Sequence, residues 1–140
     1  MKFWDSSALV AVVVQQASSV RVRKLLADDA EIVCWTLSEV EVMSALARLE
    51  REKALSTIDF KEACEGVEML WARVGVVSLI EGVKLRAKRL LRVHPLKAAD
   101  ACQLGAGLLS AHDNPTGWSF VCLDERLRDA ADREGFSVLP

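Results

Sequence analysis

The sequence predicts an α/β fold, a central and mainly parallel sheet of roughly four to five strands flanked by helices on both faces. Two observations carry this reading. Short β-prone runs alternate with longer helical patterns from one end of the chain to the other, and residues 118–123 form a near-continuous apolar run of the kind buried on both sides. Alternation of this kind implies right-handed crossovers between parallel strands.

Phe3-Trp4 opens the chain as a strand ending at Asp5. Ser6 or Ser7 then caps a helix to about residue 14, and Ser18 or Ser19 caps a second to about residue 27. Residues 31–35 read as the next strand, and residues 36–53 as a helix. Ser56-Thr57 starts another helix to about residue 73, and Val74, Val76 and Val77 mark a strand over residues 74–79. A basic helix follows to Arg92, interrupted by His94-Pro95, and residues 97–110 are helical again. The stretch 112–117, His-Asp-Asn-Pro-Thr-Gly, is a dense turn signal. Residues 118–123 make a strand, 125–133 a helix and 137–139 a last short strand.

At 140 residues the chain fits a single domain, 1–140. It is 51% hydrophobic and 27% charged, a globular composition. A net charge of −2 argues against broad attraction to nucleic acid, so such binding must use a local basic patch. Cys34, Cys64, Cys102 and Cys122 stand singly in apolar stretches, without the clustering a zinc site needs. They read as small buried hydrophobes in a reducing compartment. The apolar run at 8–14 is too short to cross a bilayer, and Asp5 just before it makes a poor signal peptide. The expectation is a cytoplasmic protein with no membrane association.

In parallel sheets, ligands bind beyond the carboxyl ends of the strands, and two strands here end in aspartate. If the strands ending at Asp5 and Asp124 are neighbours, both carboxylates enter one crevice. Each also precedes a helix, so N-capping explains either one alone. Asp100 is harder to explain structurally. It lies past the expected first turn of its helix among alanines, where it gains little from the helix dipole and calls for a partner such as a metal ion. A solvated surface aspartate is the other reading. Glu39 and Glu41 both have capping-box spacing, from Thr36 and Ser38 respectively. Glu41 shares a helical face with Ala45 and Arg48, so it is favoured for the site and Glu39 for the cap. Carboxylates converging in one crevice repel one another unless a cation compensates them. Oxygen donors without thiolates favour Mg2+ or Mn2+, ions suited to phosphodiester hydrolysis.

With these residues in hand, the chain resembles PIN-domain proteins, and among them the VapC-like toxin ribonucleases. The likeness rests on residues 3–10 (FWDSSALV), 40–48 (VEVMSALAR), 94–101 (HPLKAADA), 120–127 (FVCLDERL) and 130–139 (AADREGFSVL) in that order, and spans almost the whole chain. Each motif alone is common; their order and spacing are not. The resemblance implies a metal-dependent endoribonuclease with Asp5, Glu41, Asp100 and Asp124 as its acidic set, and a supporting hydroxyl from Ser6 or Ser7. It further implies an RNA substrate, a homodimer and a cognate antitoxin that holds the enzyme inactive.

Other features carry competing readings. Lys84, Lys88 and Arg92, with Arg86 and Arg89 between them, form either an RNA-backbone patch or the solvated face of an amphipathic helix; Arg21, Arg23 and Lys24 allow the same two readings. Arg48 pairs with Glu41 or contacts phosphate. His94 reads as a turn residue rather than a general base; of Trp4, Trp35, Trp71 and Trp118, the three in or beside strands read as core rather than base-stacking platforms. Gly105-Ala106-Gly107 permits close packing and is not a phosphate loop. Two other functions compete: an aspartyl-phosphate module, which lacks a convincing second acid or late lysine, and a non-catalytic module binding RNA or protein.

Overall fold

The computed structural model describes residues 1–28 and 31–140. Among them, five strands form one sheet: β1 (Lys2–Trp4), β2 (Ile32–Trp35), β3 (Gly75–Val77), β4 (Ser119–Val121) and β5 (Ser137–Leu139). Their order is β3-β2-β1-β4-β5, and every adjacent pair is parallel. Seven helices connect them: α1 (Ser6–Val13), α2 (Ser19–Ala27), α3 (Ser38–Arg51), α4 (Thr57–Trp71), α5 (Ile80–Val93), α6 (Ala98–Ser110) and α7 (Glu125–Arg133). No helix among the described residues is long and apolar enough to cross a membrane.

Strand side chains alternate between two cores, as the two-residue period of a pleated strand requires. Phe3, Trp35, Phe120 and Cys122 point into a core shared with α5, α6 and α7. Trp4, Ile32, Cys34 and Val121 point the other way, into a core shared with α1 to α4. Phe120 stacks on Phe3 at 5.2 Å between ring centroids and meets the edge of Phe136 at 5.4 Å. Trp4 and Trp35 are buried as expected. Gly107 allows α6 to lie close to this cluster, since a Cβ there would stand 3.0 Å from the Phe120 ring.

The elements follow the sequence reading, with differences at their ends. The third strand is shorter than residues 74–79 and holds an edge of the sheet. The fourth ends at Val121, so Asp124 lies three residues beyond it rather than closing it. Neither capping box at α3 forms: Leu37 occupies the N-cap position without a side-chain bond, because Ser38 is engaged by Gln103 instead. Ser18 gives α2 no side-chain cap either, and Ser19 Oγ turns back to the Val14 carbonyl at 2.9 Å. In the turn at 112–117, His112 and Asp113 take positive φ, and Asp113 receives the Arg86 guanidinium.

Candidate active site

The chain builds β1, moves outward through β2 and β3, then returns to the other side of β1 for β4 and β5. The gap between β1 and β4 is therefore the point where a crevice opens beyond the carboxyl ends of the strands. Asp5 and Asp124 both leave the sheet there. The Asp5 N–H donates to the Val121 carbonyl at 3.0 Å, which fixes the end of β1 against β4. Arg128 donates to the Cys122 carbonyl at 2.7 Å and to the Pro140 carbonyl at 3.1 Å, which holds the chain leading to Asp124.

Asp5 is only 3% exposed. Its Oδ2 accepts the Ser7 N–H at 3.0 Å, the Ser7 hydroxyl and the Cys122 thiol at 3.4 Å. Ser7 Oγ in turn accepts the Leu123 N–H at 3.0 Å, so one serine ties the end of β1 to the chain beyond β4. Burial pushes the Asp5 carboxyl up to about 6 against the bonds from Ser7, and the neighbouring charge of Glu41 adds to the rise. The same burial, with Asp5 beside it, raises the Cys122 thiol, so Cys122 is a protonated donor rather than a nucleophile.

Glu41 lies in the first turn of α3, half-buried, with Oε2 accepting the Ser6 hydroxyl at 2.8 Å and the Gln103 amide at 3.0 Å. The two serines thus divide the work, Ser6 on Glu41 and Ser7 on Asp5. Gln103 is fully buried and also exchanges hydrogen bonds with the buried Ser38, at 3.1 and 2.9 Å. Sequence reasoning passed over Gln103. Its signal was available: one amide in an otherwise apolar stretch of α6, three residues after Asp100 and therefore near the same helix face.

Asp100 sits in the first turn of α6, which begins at Ala98. This corrects the expectation of an aspartate beyond the first turn: at the N-terminus of α6 it lies where the helix dipole favours a carboxylate. Its carboxyl is nevertheless raised, by burial first and then by the charge of Asp124, against the pull of the Lys97 N–H and of the Lys97 and Arg126 charges. Asp124 caps α7 by accepting the Leu127 N–H at 2.9 Å and is exposed.

The charge of Glu41 thus acts on Asp5, and that of Asp124 on Asp100. A crevice of 670 Å3 is lined by Lys97, Asp100, Leu123, Asp124, Glu125 and Arg126. A second, of 300 Å3, is lined by Ser7, Val10, Gln16, Arg48, Leu123 and Asp124. Among the described residues, no three acids, cysteines or histidines stand close enough to form a ready-made metal cage. The donor chemistry still suits a hard divalent cation: every candidate ligand is a carboxylate oxygen, and each pair holds a group whose ionisation a cation would favour.

Other candidates lie outside the crevice. Arg89 and His94 Nε2 both hold Glu134, the latter at 2.7 Å, while Arg86 is taken by Asp113 and Lys84 by Glu81. The basic helix is thus largely neutralised, and His94 is the capping turn residue expected of it. Arg48 makes no ion pair with Glu41 among the described residues.

Fold and crevice together define an α/β protein with an acidic, oxygen-donor site at the switch point of a parallel sheet. The PIN domain family model matches residues 2–133, and the chain belongs to that family. Ribonuclease VapC45 of Mycobacterium tuberculosis is 30% identical over 138 residues, covering 99% of this chain and 94% of the relative. Among solved structures, the chain is similar to Mycobacterium tuberculosis VapC20, a sarcin-ricin loop cleaving toxin, with TM-score 0.66, 17% identity and full coverage of both chains. A toxin–antitoxin complex from Klebsiella pneumoniae matches with TM-score 0.65 and 13% identity, over 100% of this chain and 97% of that one.

Proposed function

We propose that this chain is a Mg2+- or Mn2+-dependent endoribonuclease and the toxin of a toxin–antitoxin pair, acting on RNA in the cytoplasm through one nuclease unit spanning residues 1–140. One observation carries the reading. Carboxylates far apart in sequence act on one another where the chain leaves β1 and β4, the charge of Glu41 on Asp5 and that of Asp124 on Asp100. The relatives named as ribonucleases support the substrate class, and the toxin–antitoxin complex supports an inhibiting partner. The unpaired cysteines fit a reducing compartment. The exposed apolar residues Leu79, Ile80 and Leu85, at the start of α5 beside edge strand β3, support a homodimer.

Asp5, Asp100 and Asp124 would hold the ion, with Glu41 as a fourth ligand or its hydrogen-bonded support. When bound, the ion neutralises these charges and supplies an activated water for phosphodiester hydrolysis. Ser7 fixes the Asp5 carboxylate, and Ser6 with Gln103 aims the Glu41 carboxylate. Asp124 and Asp100 are placed by the N-termini of α7 and α6. Hydrolysis by such a water would leave the 2′-hydroxyl of RNA without a part, and the products would carry 5′-phosphate and 3′-hydroxyl ends.

The test is cleavage with Mg2+ or Mn2+, with and without chelator, comparing the wild type with Asp5→Asn and Asp100→Asn. Cleavage lost on chelation and in both variants is the expected result; a 2′,3′-cyclic phosphate product would refute the mechanism. The lack of a ready-made cage favours one other reading, a non-catalytic RNA- or protein-binding module. Absence of metal-dependent cleavage across a wide panel of RNAs would select it.

A further inference from the structure

The two crevices share a wall. Leu123 and Asp124 line both, so the chain leaving β4 forms a ridge with a hollow on either side. Arg48 lines the smaller hollow, and Lys97 and Arg126 line the larger. All three side chains are exposed, and none forms an ion pair or side-chain hydrogen bond among the described residues. Their situation differs from that of Lys84, Arg86 and Arg89, whose charges are committed to acids of the same chain. On a protein with net charge −2, exposed cations without an ion-pair partner on both flanks of this segment mark where an anionic polymer overcomes the carboxylates' repulsion.

Resting on the ribonuclease reading above, we propose that Arg48 on one side and Lys97 with Arg126 on the other bind backbone phosphates on opposite flanks of the scissile bond. Each hollow, at 300 and 670 Å3, has room for about one nucleotide or more, within the range of small-ligand sites.

Each phosphate contact to a single strand contributes a slope of about −0.7 to log K against log salt. The test measures binding of a fluorescein-labelled oligouridine of about twelve nucleotides to the full chain carrying Asp5→Asn, in chelator, across a salt series. Arg48→Ala, Lys97→Ala and Arg126→Ala are each expected to flatten that slope by about 0.7. Arg48→Lys and Arg126→Lys should keep it, and Lys88→Ala on α5 should leave it unchanged. In otherwise wild-type protein with Mg2+, the three alanine variants should raise KM several-fold with kcat little changed. Slopes equal to the parent's, an equal loss in Lys88→Ala, or no measurable binding by the parent would each overturn the proposal. Because binding is read without metal and without turnover, failure of the phosphate sites is distinguishable from failure of the nuclease reading, which shows as absent metal-dependent cleavage by the wild type.

Discussion

Gln103→Leu is the substitution whose cost follows most directly from the geometry. Gln103 is fully buried and makes three hydrogen bonds, two exchanged with the buried Ser38 hydroxyl and one donated to Glu41. Leucine fills a similar volume, so the loss is polar. Ser38 Oγ is left without these bonds, and Glu41 keeps only the Ser6 hydroxyl of the two donors described for it. A buried unsatisfied polar group costs about 1–3 kcal/mol, and a bond to a charged acceptor contributes about 1.5–3 kcal/mol. Burial of the added apolar surface returns about 1 kcal/mol. A net loss of about 2–4 kcal/mol is expected, which lowers the Tm of a chain of this length by roughly 6–14 °C. Urea and thermal unfolding followed by circular dichroism, in chelator, measure it. The mechanism makes a sharper demand on the double variant: Ser38→Ala with Gln103→Leu removes both partners, so its loss should fall short of the sum of the single losses by about 1–2 kcal/mol. Additive losses, or a single variant within about 0.5 kcal/mol of wild type, would refute the reasoning.

Asp5→Asn removes a buried charge beside Glu41 while keeping an oxygen acceptor for Ser7, so without metal it should stabilise the protein by about 1–3 kcal/mol at pH 8; a lower urea midpoint would contradict this. Mg2+ should raise the wild-type Tm through binding linkage, and this rise should shrink in Asp100→Asn, as differential scanning fluorimetry over a metal titration would read. Glu134 is held below its ordinary value: burial opposes this, but the bonds from Arg89 and His94 outweigh it. A depressed carboxylate contributes stability that is present above its unfolded value of 4.5 and lost as the pH falls through its folded value. Glu134→Gln should therefore be less stable than wild type at pH 7 and nearly equal to it in acid; a constant difference across the series would refute the pairing. Leu46→Ala empties a fully buried position in the α1–α4 core and should cost about 2–5 kcal/mol, checked by urea unfolding.

Much of the architecture was legible because strands buried on both faces leave dense apolar runs, and their alternation with helices implies a parallel sheet. The short run at residues 3–4 was enough to place β1, although β1 is the central strand on which the site depends. Strand ends were not legible. Val74 and Leu79 are as β-prone as Val76, but only Gly75–Val77 pair with β2. Local capping rules also misled at α3, where the cap expected from Thr36 and Glu39 does not form and the other candidate, Ser38, is held by a tertiary partner, Gln103. For the candidate site, spacing and likeness single out four acids and two serines, and the structure hydrogen-bonds Ser6 to Glu41 and Ser7 to Asp5. That Asp5 and Asp124 cap their helices while also facing the crevice shows that capping and site roles coexist in one side chain. What spacing could not supply was the pairing of the acids and the buried amide beneath Glu41, since both depend on where α6 docks against α3.

The return of the chain across β1 has a consequence for biosynthesis. Asp5 and Glu41 belong to the half made first, whereas Asp100 and Asp124 emerge only after α6 and β4, and β4 must slot against a strand laid down more than a hundred residues earlier. No nascent fragment ending before Asp124 contains all four acids, so the candidate site can assemble only after β4 has been made and has paired with β1.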